Sequence, residues 1–223
     1  MDIYEALYTT RAMRRVKPDP IPQDVQMKIL DAAVRAPTGG NEQAWRFLFV
    51  DDQKVRNKIA PLYRRSMETV FGDYYNSRID DAQANPDDPE SQQWMRVHKS
   101  ASWLRDNIAN VPLLWFSFYS ETSDPNGGSI FPAVWNGMLA ARAEGIGAAL
   151  TGSLLLYHDE VLEVLGVPLD QGWKMVSMVT LGYPLGRWGI APRRPVHHVA
   201  NRNQWDQPIG FEIPEPLWSK ESE

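Results

Sequence analysis

Near the start of the chain Ile3, Ala6, Leu7 and Thr10 recur at helical spacing, ahead of the basic run Arg11-Ala-Met-Arg-Arg-Val-Lys17. This predicts a helix that delivers positive charge at its C-terminal end. Prolines 18, 20 and 22 break the pattern. Val25, Ile29, Ala32, Ala33 and Ala36 then mark a second helix, with Pro22 suited to its first turn and Pro37 expected to stop it. After the linker Thr38-Gly-Gly-Asn-Glu-Gln-Ala44 the period changes. Trp45 to Val50 is aromatic and apolar with little polar relief, which predicts a strand inside a sheet.

Between Tyr63 and Trp103 the pattern loosens, and residues 73–93 are acidic and polar, carry two prolines and show no apolar period. This stretch reads as an exposed excursion between helical pieces. Its aromatic edges, including Phe71, Tyr74 and Tyr75, make it a candidate lid over a pocket, because long loops in compact domains are disproportionately functional. Val111–Tyr119 predicts a second buried strand and Asp124–Gly128 a turn. Phe131–Glu144 predicts a helix apolar on most faces, which belongs at the centre of the fold or in a subunit interface. A strand over 145–150 leads into Thr151-Gly152-Ser153, followed by a short helix near 159–165 and a strand over 174–181. From Gly182 the chain carries six prolines and scattered aromatics, the composition of a tail laid over a neighbouring surface. The expectation is one α+β domain over 1–223, with a lid or insertion at 63–103 and an extended C-terminal arm at about 200–223.

Composition narrows the chemistry. At 223 residues and 43% hydrophobic content the chain builds a sizeable core. The absence of cysteine excludes disulfides and thiolate metal sites, and a reducing, cytoplasmic setting fits. No run of 18 apolar residues and no signal-peptide pattern occur, so no membrane partner is expected. A net charge of −5 argues against a nucleic-acid binder. Two local basic clusters, Arg11, Arg14, Arg15 and Lys17 near the start and Arg187, Arg193 and Arg194 near the end, point to a small anion. Nine Trp, eight Tyr and seven Phe supply planar surface for an aromatic ligand, a core or an interface.

Several mechanisms drop out. Gly145-x-Gly147 follows a helix and lacks the third glycine of a dinucleotide fingerprint, and neither a phosphate loop nor a serine nucleophile elbow is present. Four histidines, two of them adjacent at 197 and 198, argue against a metal site. What remains is an anion site of arginines and backbone N–H groups beside aromatic surface. That inventory suits a tightly held cofactor that carries the chemistry itself.

The order of pieces R-A-M-R-R-V-K-P-D-P-I-P, A-P-T-G-G-N-E-Q-A-W-R-F, P-A-V-W-N-G-M-L-A-A-R-A-E-G-I-G, L-T-G and G-Y-P…P-R-R-P resembles the FMN-dependent nitroreductase superfamily over residues 3 to about 198. The resemblance implies a nitroreductase-like fold with a central mixed β-sheet, an intertwined homodimer, FMN sites at the dimer interface, and NADH or NADPH as transient reductant. The implied activity is ping-pong reduction of a small planar acceptor such as a nitroaromatic or quinone. Carried over by position, Arg11 and Arg14 hold the phosphate with Arg193 or Arg194 assisting, and Ala12 stands where the family commonly has Ser. Pro37, Thr38, Gly39 and Asn41 line the ribityl and ring region, and Thr151 and Gly152 face the reactive edge of the ring. The helix over 131–144 is implied as the dimer core. Thr38 replaces a Ser, Ala44 a Pro and Trp135 a common Gln. The superfamily also includes reductive dehalogenases, for which Glu68, Tyr74 and Lys99 are candidate zwitterion ligands, as well as enoate reductases, a flavin-fragmenting enzyme and non-catalytic flavin binders.

Overall fold

Three of the four strands of the central sheet alternate their side chains between two cores, which is why they read as continuous apolar runs. The computed structural model describes residues 1–218. Four strands, β1 (Trp45–Val50), β2 (Leu113–Ser120), β3 (Gly147–Thr151) and β4 (Trp173–Gly182), form a sheet in the order β1-β2-β4-β3. On β2, Leu114, Phe116 and Phe118 enter one core while Leu113 and Trp115 enter the other. The first core is closed by α3 (Gln53–Thr69), α5 (Pro89–Asn107) and α7 (His158–Leu165), through Ile59, Tyr63, Leu104 and Val161. The second is closed by α2 (Gln23–Ala33) and α6 (Ile130–Ala143), through Ile29, Ala33, Val134 and Ala141.

All pairings among the four strands are antiparallel, with β1 Trp45 opposite Tyr119, β3 Gly147 opposite Gly182, and a register shift opposite Ser117 and Phe118 where β4 carries the extra residue Val176. The mixed sheet implied by the resemblance is therefore corrected to an antiparallel one in this chain. Strand direction follows from the connections between strands, which an apolar run does not encode. A second correction concerns β1, expected inside the sheet. It is an edge strand, and its aromatic content is spent on one face, where Phe47 and Phe49 meet Trp115 edge-on at 5.5 and 5.8 Å. A third concerns residues 73–93, which are helical. After a π-helical turn at Val70–Tyr74, α4 (Asn76–Ala84) and the start of α5 occupy that stretch. Asp88 caps α5 by accepting from the Ser91 N–H, and Pro89 fills its first turn. These are local signals that an apolar period does not carry.

By internal packing the chain falls into two units. Residues Ala12–Arg187 form the larger, with the sheet and α2 to α7. The other combines Met1–Arg11, including helix α1 (Ile3–Thr9), with the described chain from Trp188 to Trp218; the last five residues of the expected C-terminal arm lie outside the described residues. That later segment holds one 3-10 turn, Val196–His198, and an isolated bridge between Asn201 and Pro208. No helix of the described residues is long and apolar enough to cross a membrane.

Candidate active site

A cavity of about 720 Å³ opens in the larger unit between the end of β3, helix α3, the π-helical turn and α5. Its floor depends on the segment Met13–Lys17, which lies along the sheet. The Met13 N–H donates to the Ala148 carbonyl at 2.9 Å and the Lys17 N–H to the Tyr183 carbonyl at 2.8 Å, and Val16 forms a bridge with Pro184. Two glycines permit this close approach. A Cβ on Gly147 would sit 2.8 Å from the Met13 Cβ, and one on Gly182 2.8 Å from the Val16 side chain. The segment thereby brings Arg14 into the cavity wall.

Arg14 is partly buried, and burial lowers its pKa from the usual guanidinium value. No carboxylate among the described residues pairs with it. The neighbouring Tyr63 is 2% exposed and its phenol is pushed up to about 12, chiefly by burial, against the opposing effects of a hydrogen bond with Thr151 and of the Arg14 charge. Thr151 Oγ1 also lies 3.3 Å from Ser153 Oγ. The wall opposite is aromatic. Tyr75 lies against Trp94 with ring centroids 5.0 Å apart, Phe71 meets His98 edge-on at 4.6 Å, and the Arg78 guanidinium sits 4.3 Å over Trp94. Burial, and then Arg105, lower the pKa of His98. Among the described residues the lining contains no carboxylate and no lysine. A cavity so built offers one fixed cation, a row of hydroxyls and flat apolar walls, which is the donor set for a planar anionic ligand.

The nitroreductase family model matches residues 7–183. The chain belongs to the nitroreductase family. It is 36% identical over 210 residues to an NADH dehydrogenase of Thermus thermophilus, covering 89% of this chain and 95% of that one. To the 5,6-dimethylbenzimidazole synthase of Rhodospirillum rubrum it is 29% identical over 222 residues, covering 90% and 94%. Among solved structures it shares its fold with an oxidized iodotyrosine deiodinase bound to FMN and 3-iodo-L-tyrosine, at a TM-score of 0.73 and 22% identity, covering 92% of this chain and all of that one.

Set against this nitroreductase-family fold, the expected site residues divide. Arg14, Thr151, Gly152, Phe71, Tyr74 and Tyr75 all line the one cavity. Arg193 and Arg194 line a different cavity of about 680 Å³ within the smaller unit, together with Tyr8 and Thr10. Arg11 belongs to that unit, and Ala12 is exposed at the start of the larger one. Pro37, Thr38, Gly39 and Asn41 lie in the turn before β1 and are not in the cavity wall. There Thr38 Oγ1 accepts from the Gln43 N–H at 3.2 Å, and Gly40 and Asn41 both take φ of 57°. Trp135, on α6, is 39% exposed and also outside the cavity. Of the dehalogenase candidates Tyr74 alone reaches the cavity. Lys99 lines a separate groove beside Ala82, and Glu68 acts on Arg105. Sequence reasoning missed Tyr63, Ser153 and His98. Tyr63 had a visible signal, a polar-tipped ring on the buried stripe Ile59, Ala60, Tyr63, Met67 of α3.

Proposed function

We propose that the chain is an FMN-dependent oxidoreductase that takes electrons from NADH or NADPH and reduces small, uncharged, planar acceptors such as nitroaromatics or quinones. The observation that carries the reading is Arg14, a partly buried cation without a carboxylate partner, in a cavity whose other walls are hydroxyls and flat apolar surface. A desolvated charge of this kind is costly unless an anion completes it. Arg14 therefore fits an anionic ligand through charge-assisted hydrogen bonds, with Thr151 and Gly152 at the neighbouring edge. Bound FMN supplies the hydride chemistry. The protein's share is position, exclusion of water and electrostatics. Phe71, Tyr75 and Trp94 hold a planar acceptor by its faces, and the absence of a carboxylate or lysine in the lining favours a neutral acceptor over an amino-acid zwitterion. Helix α6 leaves Phe131 and Trp135 exposed beside a buried face, which supports a homodimer closed over α6.

The test is optical. Purified protein is expected to be yellow, to bleach anaerobically with NADH or NADPH, and to regain its colour on adding a nitroarene. Colourless protein that takes up no FMN sinks the reading. Yellow protein that neither nicotinamide bleaches removes the reductase half of it, and colour lost permanently during aerobic turnover assigns FMN as substrate instead of catalyst.

A further inference from the structure

Behind the Thr151 edge of the cavity, three hydroxyls run into the interior in series. Thr151 Oγ1 lies 3.3 Å from Ser153 Oγ, Ser153 Oγ lies 3.1 Å from Ser66 Oγ, and Ser66 Oγ lies 2.8 Å from the carbonyl oxygen of Tyr63. The series ends on a backbone carbonyl of α3. Thr151 and Ser153 line the cavity, whereas Ser66 is fully buried and does not.

Each aliphatic hydroxyl has one proton and two acceptor positions. Ser66 has two acceptors for its single proton, the Tyr63 carbonyl and Ser153 Oγ. When Ser66 donates to the carbonyl, its contact with Ser153 must use the Ser153 proton. The Ser153–Thr151 contact then uses the Thr151 proton, and Thr151 turns a lone pair to the cavity. When Ser66 donates to Ser153, the Ser153 proton goes to Thr151 and the Thr151 proton is released toward the cavity. No proton leaves the series, because each hydroxyl merely rotates. The Ser153 N–H also donates to Thr151 Oγ1 at 3.4 Å and holds one of its two lone pairs in either state, leaving the other for the Ser153 hydroxyl or for the cavity.

On the reading of the cavity as an FMN site, we infer that Ser66, Ser153 and Thr151 form a two-way hydrogen-bond relay that lets Thr151 donate to the oxidised cofactor and accept from the reduced one. Reduction protonates a ring nitrogen that is an acceptor when oxidised, so a partner locked as a donor would favour the oxidised form alone. A reversible partner serves both. Ser66 is thus a positioning residue that acts through Ser153.

Ser66→Ala removes the inner partner without touching the cavity wall. Ser153 then has no inward acceptor, gives its proton to Thr151, and leaves Thr151 a donor. The measurement is the midpoint potential of bound FMN in the wild type, S66A and S153A, by anaerobic titration against a reference dye, with FMN affinity read in parallel by fluorescence. Oxidised FMN is expected to bind S66A within about two-fold of wild type, and reduced FMN about five- to ten-fold more weakly. That loss lowers the potential by about 20–30 mV for a two-electron couple. S153A is expected to shift in the same direction at least as far, and Ser66→Cys, which retains a weak donor, to restore part of the shift. Potentials of S66A and S153A equal to wild type, or raised above it, overturn the relay and leave the FMN reading standing. A wild-type protein that takes up no FMN overturns both.

Discussion

The floor and the lid of the cavity are built by opposite means. The floor is held by backbone hydrogen bonds from Met13 and Lys17 and by two glycines at which any side chain would collide with the overlying segment. The lid, from the π-helical turn through α4 and α5, is mostly exposed, and side chains close it: Arg78 over Trp94, Tyr75 against Trp94, Phe71 against His98. Each such aromatic contact is worth about 0.5–1.5 kcal/mol. A floor without tolerance keeps Arg14 and Thr151 fixed for the cofactor proposed there. A lid of several weak contacts can re-pack around acceptors of different outline. The division of labour proposed for the cavity is thus already present in how its two halves are held.

The largest way to break this contrast is at the floor. Gly182→Ala places a Cβ 2.8 Å from Val16 and 3.2 Å from Pro112, so the segment carrying Arg14 must lift. A loss of about 2 kcal/mol is expected from overpacking against the stiff side chains of Val16 and Pro112. It would be read as a lower urea midpoint at unchanged slope, together with lost FMN uptake. Normal stability and normal uptake would mean that the floor yields as easily as the lid.

Arg14→Leu separates charge from packing. Hydrogen bonds to a charged group contribute about 1.5–3 kcal/mol, so FMN affinity should fall on the order of 10- to 100-fold. The apo protein should be no less stable than wild type, because a desolvated guanidinium without a carboxylate partner is removed. Fluorescence titration and urea unfolding check the two halves. A stability loss with unchanged affinity would reassign Arg14 to the fold.

At the lid, Trp94→Ala removes the plane shared by Tyr75 and Arg78. The expected result is kcat/KM for a nitroarene down about ten-fold, from roughly 1–2 kcal/mol of lost contact, with FMN affinity within about two-fold of wild type. An equal fall in both would show that lid and floor are one cooperative unit.

Legibility in the sequence follows the same division. The floor's parts were readable: the apolar runs of β2 and β4, the small residues around Gly147 and Gly182, and Arg14 in a basic cluster all have a local signature. The lid helices were not. Ala82 is the buried residue of α4 and Leu104 that of α5, so neither helix displays a broad apolar stripe. Strand direction and the edge position of β1 depend on how distant segments connect, information that no window of sequence contains. The spread of expected phosphate ligands over two units, with Arg14 in one cavity and Arg193 and Arg194 in another, was equally out of reach, because charge clusters report residue type and not direction.

The smallest expected effect is a pH dependence confined to the lid. Burial and Arg105 place the His98 pKa below the ordinary value of about 6.5, so between the folded and unfolded pKa values the unfolded lid binds more protons. Lid stability therefore rises with pH through that window, is level above about 6.5, and is lost as the pH falls and the imidazolium is forced against Phe71. Amide exchange in α5, corrected for intrinsic rates, should be faster at pH 5.5 than at pH 7.5, while exchange in β3 and β4 stays unchanged. His98→Gln should flatten the α5 difference, since the amide packs in the same place without titrating. A difference that survives in H98Q belongs to another group, and one that spreads into β3 and β4 would show that the floor shares the lid's tolerance.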